Sequence, residues 1–250
     1  MRAALSFLYG VAGYTASLAA LLYLIGFSGN LLVPRSIDIG PAAPWARAVA
    51  VDLLLLALFG VQHSVMARRS FKRWWTRIVP AAVERSSYVM ATCAVLALMY
   101  ASWLPIPGPV VWRVDSPAGR ALLWSVFGLG WVLVVVSTFL IDHFELFGLK
   151  QVFARLRGRT MPAPDFRTPV LYRYVRHPLY LGLLLAFWST PHMSPGHMLF
   201  SFGASSYIFI GIWFEERDLV AQFGERYRRY REQIGMVLPR LGRARPHGMS

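Results

Sequence analysis

Four short groups of polar residues combine side chains that can do acid–base chemistry or bind a charged ligand. Histidine titrates near neutral pH and can accept a proton from a substrate. Arginine can pair with a carboxylate through two parallel hydrogen bonds, and glutamate can pair with an ammonium group. The four groups are Gln62-His63, Asp142-His143-Phe144-Glu145, Arg176-His177-Pro178 and Glu215-Glu216.

Each group lies near one end of a long apolar run, so helices must position it. A membrane-spanning helix needs about 20 mostly apolar residues. Four runs are at or near that length, and two shorter ones follow: 3–27, 46–67, 88–104, 121–141, 179–190 and 197–214. The last two flank residues 191–196, whose prolines and glycine are typical of a turn. We therefore predict an all-α, polytopic integral membrane protein with five or six transmembrane helices, the last two forming a helical hairpin.

The distribution of charge predicts the orientation of these helices. The chain of 250 residues is 56% hydrophobic and 15% charged, with a net charge of +14 and one cysteine. The high apolar content excludes a disordered chain, and the single cysteine excludes a disulfide-built module. The net charge alone would suggest nucleic-acid binding. However, 22 of the 26 Lys and Arg residues lie in one set of segments, namely Arg2, 67–86, 142–177 and 215–250. Because cytoplasmic loops retain basic residues, we predict that both termini are cytoplasmic, that the arginines contact anionic lipid headgroups, and that no nucleic acid binds.

This orientation places the four polar groups at one depth on the cytoplasmic side, where ionisable residues often mark a substrate path. His63, His143 and His177 could converge on a metal ion. No His-x-x-x-His, Glu-x-x-His or paired-cysteine spacing supports this, so we predict no metal site. The sequence also lacks a serine-hydrolase elbow and a phosphate-binding loop. Gly128-Leu129-Gly130 lies inside a predicted span, where glycines are typical of helix packing.

The segment after the sixth run predicts one further helix. Its apolar residues recur at intervals of three and four, and arginines occupy the other positions, as is typical of an interfacial helix on the inner leaflet. We expect this helix to anchor the chain or to roof a site at that leaflet. The apolar residues are Leu219, Phe223, Tyr227, Tyr230 and Ile234.

About the last 80 residues resemble a known superfamily. The segment 176–182, Arg-His-Pro-Leu-Tyr-Leu-Gly, and the later Glu215-Glu216 pair resemble the signature of the isoprenylcysteine carboxyl methyltransferase and phospholipid methyltransferase superfamily of membrane enzymes. The similarity to this superfamily extends to segments 171–175, 223–230 and 237–240, although Val170 stands where the superfamily commonly has a glycine. The resemblance implies S-adenosylmethionine as methyl donor. The residues it implicates in donor binding are Tyr172, Tyr174, Val175, Arg176, His177, Pro178, Tyr180, Gly182, Glu215 and Glu216.

The first 150 residues resemble one particular branch of this superfamily. Segments 61–67, 72–75, 84–86 and 143–151 are similar to the methanethiol S-methyltransferase family, a bacterial branch allied to denitrification-associated membrane proteins. This similarity implies a small thiol acceptor, most simply methanethiol converted to dimethyl sulfide, and a bacterial inner membrane location. We predict one membrane domain over 1–250, with four transmembrane helices in 1–141 and the donor-binding core, hairpin and cytoplasmic tail in 142–250.

The residue types fit such a donor. Glu215 or Glu216 can pair with its ammonium group, and Arg176 can bind its carboxylate. Tyr172, Tyr174 or Tyr180 can face its sulfonium or stack on its adenine.

Transfer to a thiol needs a deprotonated sulfur. We predict His63, with Gln62 beside it, as the general base, and His143 as the second candidate. Three alternatives remain open. In the first, the histidines only shape the acceptor pocket. In the second, the acceptor is a prenylcysteine carboxylate or a phospholipid amine. In the third, the chain is a non-catalytic membrane partner of a nitrogen-oxide reductase system.

Overall fold

The computed structural model describes residues 2–162 and 165–240. Met1 and two arginines of the charge pattern, Arg243 and Arg245, lie outside these residues. The described chain is built almost entirely of α-helices, which confirms the predicted fold class. In chain order they are α1 (Arg2–Gly29), α2 (Trp45–Ala67), α3 (Arg69–Trp75), α4 (Ala81–Ser102), α5 (Pro117–Ile141), α6 (His143–Leu146), α7 (Leu149–Leu156), α8 (Pro178–Trp188), α9 (Pro195–Phe223) and α10 (Glu225–Gln233).

Five of these helices are long and apolar enough to cross a membrane, namely α1, α2, α4, α5 and α9. Helix α8 has only 11 residues. At a rise of 1.5 Å per residue it extends over roughly 16 Å, about half of the hydrocarbon thickness of a bilayer. The chain is therefore a multi-pass membrane protein, and its described residues include five full-length apolar helices and one half-length apolar helix.

Helices α8 and α9 form the predicted hairpin, and its turn is tied to another loop. Strand β1 (Trp112–Arg113), between α4 and α5, pairs antiparallel with β2 (His192–Met193), between α8 and α9. Val111 N–H and Val114 N–H also donate to the carbonyls of Met193 and Pro191, at 2.8 and 2.9 Å. Non-helical backbone near a membrane must have its polar groups paired, and this pairing provides partners for the turn.

The first arm of the hairpin packs mainly against α5 and much less against α9. Gly130 on α5 and Gly182 on α8 face each other at this crossing. A Cβ atom added to either glycine would lie 2.6 Å from the carbonyl oxygen of the other. The prediction that Gly130 serves helix packing is thus confirmed. Gly182, which the resemblance implicates in donor binding, occupies the same crossing, because only glycines allow the two backbones to approach so closely.

A single core joins the long helices, with aromatic rings from α1, α4 and α9 at its centre. Phe27, Trp103 and Phe200 are at most 3% exposed and contact one another edge to face. Asp52 on α2 is also fully buried, and one of its carboxylate oxygens accepts a hydrogen bond from Leu104 N–H at 3.0 Å. This bond fixes the end of α4 against α2.

The tail after α9 departs from the predicted single interfacial helix. Helix α9 continues to Phe223, and the chain then turns at Gly224, whose φ of +57° lies in the left-handed region that favours glycine. Helix α10 folds back, and Tyr227 and Tyr230 are buried against Phe166. The apolar face identified in the sequence is therefore covered by protein, and the segment forms a roof over the start of α8.

Candidate functional site

A buried ionic cluster forms where α9 ends and α8 begins. Arg176 Nε and Nη2 lie 2.8 and 2.7 Å from Glu216 Oε1, and His177 Nε2 lies 3.2 Å from the same oxygen. All three residues are less than 9% exposed. A buried carboxylate is tolerable only when its charge is paired and hydrogen-bonded. The structure thus brings together the Arg-His and Glu-Glu groups, which are about 40 residues apart in sequence.

The tail holds this cluster through its backbone. Arg176 N–H and His177 N–H donate to the carbonyls of Gly235 and Met236, at 2.8 and 3.0 Å. The remaining guanidinium nitrogen, Arg176 Nη1, donates to the carbonyls of Arg231, at 2.9 Å, and of Ile234. Because Nε, Nη1 and Nη2 all have partners within the protein, Arg176 primarily fixes Glu216 and the tail.

Glu215 has a different environment from Glu216. Its side chain is 44% exposed, and Tyr180 Oη donates to its Oε2 atom at 2.9 Å. His177 Nδ1 lies 3.9 Å from the same oxygen. His177 therefore lies between the two carboxylates, with one ring nitrogen directed to each. Of the pair, Glu215 is the more exposed carboxylate.

The other residues implicated in donor binding surround this cluster. The carbonyl of Tyr172 accepts a hydrogen bond from Tyr230 Oη at 2.6 Å. The pKa of the Tyr172 hydroxyl lies well above its ordinary value, mainly because the side chain is buried and secondly because Glu215 places a negative charge nearby. Tyr174 is exposed, Val175 is buried and forms a bridge to Gly235, and Pro178 occupies the first turn of α8. Proline is well suited to that position because its missing N–H would have no helical partner.

An open pocket of about 490 Å³ adjoins the cluster. Its lining combines three arginines with two glutamates, namely Arg176, Glu216, Arg231, Glu232 and Arg240. Arg231 Nη1 lies 3.9 Å from Glu216 Oε2, and its side chain is 47% exposed. A pocket lined by both charges suits a ligand that carries an ammonium and a carboxylate.

His63 lies in a separate group of hydroxyls and aromatic rings. Its Nε2 shares a short hydrogen bond with Tyr88 Oη, and its Nδ1 lies 3.3 Å from Thr92 Oγ1. The ring stacks on Phe59, with centroids 5.2 Å apart, and meets the edge of Tyr207. The neighbouring Gln62 directs Nε2 toward Thr92 Oγ1 at 3.4 Å. Helices α2, α4 and α9 therefore all contribute to the surroundings of His63.

His143 is placed apart from His63, among α1, α5 and α6. Its Nε2 lies 3.0 Å from Tyr14 Oη, its Nδ1 lies 2.8 Å from Thr138 Oγ1, and its ring stacks on Phe139 with centroids 4.1 Å apart. With both ring nitrogens in hydrogen bonds and 6% exposure, it has the contacts of a packing residue. Within residues 2–162 and 165–240, no three His, Cys, Asp or Glu side chains are grouped so as to hold a metal ion.

The carboxylates beside His143 form hydrogen bonds and ion pairs with residues close to them in sequence. Asp142 Oδ1 accepts from Glu145 N–H at 3.0 Å, and Lys150 Nζ bonds both Asp142 and Glu145. Burial alone would raise the pKa of Asp142, but the bonds from Lys150 and Glu145 outweigh it, so the pKa lies below its ordinary value. These acidic side chains stabilise the α5–α7 connection.

Burial lowers the pKa of His143, which gives a pH prediction. The unfolded chain takes up a proton as pH falls below about 6.5, whereas the folded protein resists it. We therefore expect the contribution of neutral His143 to stability to be present above about pH 6.5 and to be lost as pH falls below it. The check is the melting temperature of the detergent-solubilised protein between about pH 5 and 7.5. His143→Asn, which cannot titrate, should show a shallower decline, and identical slopes would contradict the prediction.

Sequence inspection missed two groups of residues at these sites. Tyr88, Thr92 and Tyr207 carry no motif, and only their hydroxyl groups within otherwise apolar runs signal a polar role. Arg231 belongs to a run of arginines that is typical of a solvated or lipid-facing surface. No local pattern distinguishes it from its neighbours.

The chain is thus a multi-pass helical membrane protein in which a folded-back tail covers a cluster of the Arg-His-Pro and Glu-Glu groups. No family model matches the sequence, and no solved structure matches it. The chain is 51% identical over 239 residues to methanethiol S-methyltransferase of Mycobacterium tuberculosis, covering 96% of this chain and 98% of that one. It is 50% identical over 233 residues to the enzyme of the same name from a Pseudomonas species, covering 93% and 89%.

The chain therefore belongs to the methanethiol S-methyltransferase family and is a methyltransferase. A more distant similarity, 32% identity over 178 residues, links it to Nurim of Pan troglodytes, with 68% of each chain covered. The resemblance inferred from the sequence motifs is confirmed.

Proposed function

We propose that this protein transfers a methyl group from S-adenosylmethionine to methanethiol and so forms dimethyl sulfide. The observation that carries the proposal is the buried Arg176–His177–Glu216 cluster, which has an exposed carboxylate, Glu215, beside it and a pocket of mixed charge next to it. The names of the relatives supply the acceptor, a small thiol.

The residues around the cluster fit the proposed donor. When bound, S-adenosylmethionine supplies an electrophilic methyl group on a positively charged sulfur. Glu215, held by Tyr180, is available for the ammonium group, and the half-exposed Arg231 can pair with the carboxylate. Arg176 and His177 keep Glu216 ionised and in place, while the rings of Tyr172, Tyr174 and Tyr180 supply aromatic faces near these charges. In this assignment Arg176 contributes mainly by positioning the other groups.

We assign the acceptor to the His63 group. A thiol becomes a strong nucleophile only as its proton leaves, and of the two candidate histidines outside the donor cluster His63 is partly exposed whereas His143 is buried. Within the described part of the chain, the buried Gln62 Oε1 has no hydrogen-bond partner, which makes Gln62 suitable for contacting a polar substrate atom. Tyr180, which bonds Glu215, lies near Tyr88 and Tyr207 of the His63 group.

We place the site on the cytoplasmic side of a bacterial inner membrane. The donor cluster lies at the ends of α8 and α9 away from the β1–β2 turn. That end of the bundle carries most of the arginines and lysines, as expected for a cytoplasmic face that contacts anionic lipid. Both termini then lie in the cytoplasm, where the donor is synthesised.

Two measurements on the purified full-length protein test the function. Calorimetric titration with S-adenosylmethionine should show one saturable site, and headspace analysis should detect dimethyl sulfide after methanethiol is added. Absence of donor binding would favour a non-catalytic membrane partner instead. Donor binding with methylation of a prenylcysteine or a phospholipid amine, and no dimethyl sulfide, would favour the lipidic acceptors.

Replacing the proposed base tests the acceptor assignment. We expect His63→Ala to lower kcat for methanethiol by about 10²–10⁴-fold, the usual contribution of a general base. Affinity for S-adenosylmethionine should remain within about twofold, because His63 makes no contact with the donor cluster. An unchanged kcat would remove His63 as base and leave it a residue that shapes the pocket.

A further inference from the structure

The hydrogen bonds around His63 determine which of its nitrogens carries the proton. Thr92 Oγ1 donates its own hydrogen to the carbonyl of Tyr88, one turn earlier on α4, at 3.0 Å. A hydroxyl has one hydrogen, so Thr92 Oγ1 can only accept from His63 Nδ1. We infer from this pattern of contacts that neutral His63 carries its proton on Nδ1 and that Nε2 is its basic nitrogen.

Tyr88 occupies that basic nitrogen. Because Nε2 has a free lone pair and no hydrogen in this tautomer, the hydrogen bond between them runs from Tyr88 O–H to Nε2. Phe59 covers the imidazole face, and the edge of Tyr207 meets the ring. A thiol cannot take the position of the Tyr88 hydroxyl at Nε2 without breaking this bond.

The charge around Tyr88 supports a proton-relaying role. The guanidinium carbon of Arg85 lies 4.8 Å from the centroid of the Tyr88 ring, and Arg85 Nε is fixed by the carbonyl of Leu146 at 2.6 Å. A fixed positive charge there stabilises negative charge that develops on the phenol oxygen during transfer. Besides Arg85 and His63, the titratable groups near Tyr88 are Glu84 on its own helix, Tyr180 on α8 and Tyr207 on α9.

We propose that Tyr88 is the catalytic residue that meets the acceptor thiol, and that His63 receives the proton through it. The inference rests on the proposed function. The S–H bond breaks and its proton moves to Tyr88 Oη, while the proton of Tyr88 moves to His63 Nε2. The sulfur forms a bond to the methyl carbon as the bond between that carbon and the sulfonium breaks, and the electron pair of the broken bond stays on the departing sulfur. One positive charge thus moves from the sulfonium to the imidazolium of His63, which later releases its proton to water.

The relay and a direct role of His63 predict opposite results for Tyr88→Phe. If Nε2 met the thiol directly, removal of the hydroxyl would free Nε2, and turnover would hold or rise. A relay through Tyr88 instead predicts that kcat for methanethiol falls at least about 100-fold. Thr92→Val should also lower kcat, because Nδ1 loses the acceptor that fixes the tautomer, whereas Thr92→Ser should retain activity.

Methaneselenol separates proton transfer from structural damage. It matches methanethiol in shape and is acidic enough to be ionised at neutral pH, so its methylation needs no base. In Tyr88→Phe we expect the rate of methaneselenol methylation to stay within about threefold of wild type, while the rate of methanethiol methylation falls at least about 100-fold. The loss of methanethiol turnover in Tyr88→Phe, relative to wild type, should also become smaller as pH rises, because more of the methanethiol is then already ionised without the relay.

Tyr100→Phe is the matched control, since Tyr100 lies on the same helix and donates a comparable hydrogen bond to the carbonyl of Ala20 at 3.0 Å. It should behave as wild type with both acceptors. Unchanged methanethiol turnover in Tyr88→Phe overturns the relay, and so does a parallel loss with both acceptors while calorimetry shows normal donor binding. A wild-type protein that forms no dimethyl sulfide instead contradicts the proposed function, which keeps the two failures distinct.

Discussion

Glu216→Gln should unfold the donor cluster and abolish donor binding. The substitution leaves the guanidinium of Arg176 buried without its countercharge, and the loss of one partner of a buried pair costs about 3–5 kcal/mol. Glu216 Oε1 also accepts from His177, so the start of α8 loses the charged acceptor of a second hydrogen bond. We expect a large drop in melting temperature in detergent and no calorimetric signal with S-adenosylmethionine.

The adjacent glutamate provides the matched control. Glu215 is half exposed and bonds the Tyr180 hydroxyl, so Glu215→Gln should change the free energy of unfolding by no more than about 1 kcal/mol. As the proposed partner of the ammonium group, it should nevertheless lower donor affinity by roughly 10–100-fold. Equal effects of the two substitutions on stability would contradict the different burial of the two carboxylates.

Gly130→Ala should be strongly destabilising, although it adds a single methyl group. The new Cβ would lie 2.6 Å from the carbonyl oxygen of Gly182 and 2.8 Å from the amide nitrogen of Ala186. These are backbone atoms that cannot rotate away, so the contact must be relieved by separating α5 from α8. We expect a loss of about 3 kcal/mol, the upper end of the cost of overpacking.

Gly128→Ala is the control for this effect, because it lies two residues earlier on the same helix and its Cβ would meet nothing within 4 Å. Replacing a helical glycine by alanine at such a position is expected to stabilise the helix by up to about 1 kcal/mol. Thermal unfolding of the two variants side by side measures the difference. Equal melting temperatures would show that the close approach of α5 and α8 is not required for stability.

The apolar runs in the sequence predict the long helices because a span needs only length and hydropathy. The position of the donor cluster also follows from sequence, since the Arg176 and Glu216 groups mark the ends of consecutive apolar runs. The contact between His63 and Tyr88 does not follow, because it depends on how α2 and α4 rotate about their axes. Neither run has a polar stripe that would define this rotation.

The tail illustrates a second limit of sequence patterns. Its period of three to four residues correctly predicts helix with one apolar face, but the period carries no information about what covers that face. The turn at Gly224 directs Tyr227 and Tyr230 onto Phe166 instead of onto lipid. Likewise, His143 and His63 have a similar predicted depth, and only the three-dimensional structure shows that His143 is buried while His63 is partly exposed.

The backbone bonds from the tail to residues 176 and 177 have a consequence for biosynthesis. A ribosome releases Arg176 some 40 residues before Glu216 and almost 60 before Ile234 and Gly235, the groups that complete its surroundings. Until then its charge has no internal partner, and the short helix beginning at Pro178 has nothing to hold its first turn. The pocket beside Arg176 and Glu216 therefore closes as one of the last events in the synthesis of the chain. A polypeptide arrested before Met236 would carry the long spans but not the finished pocket.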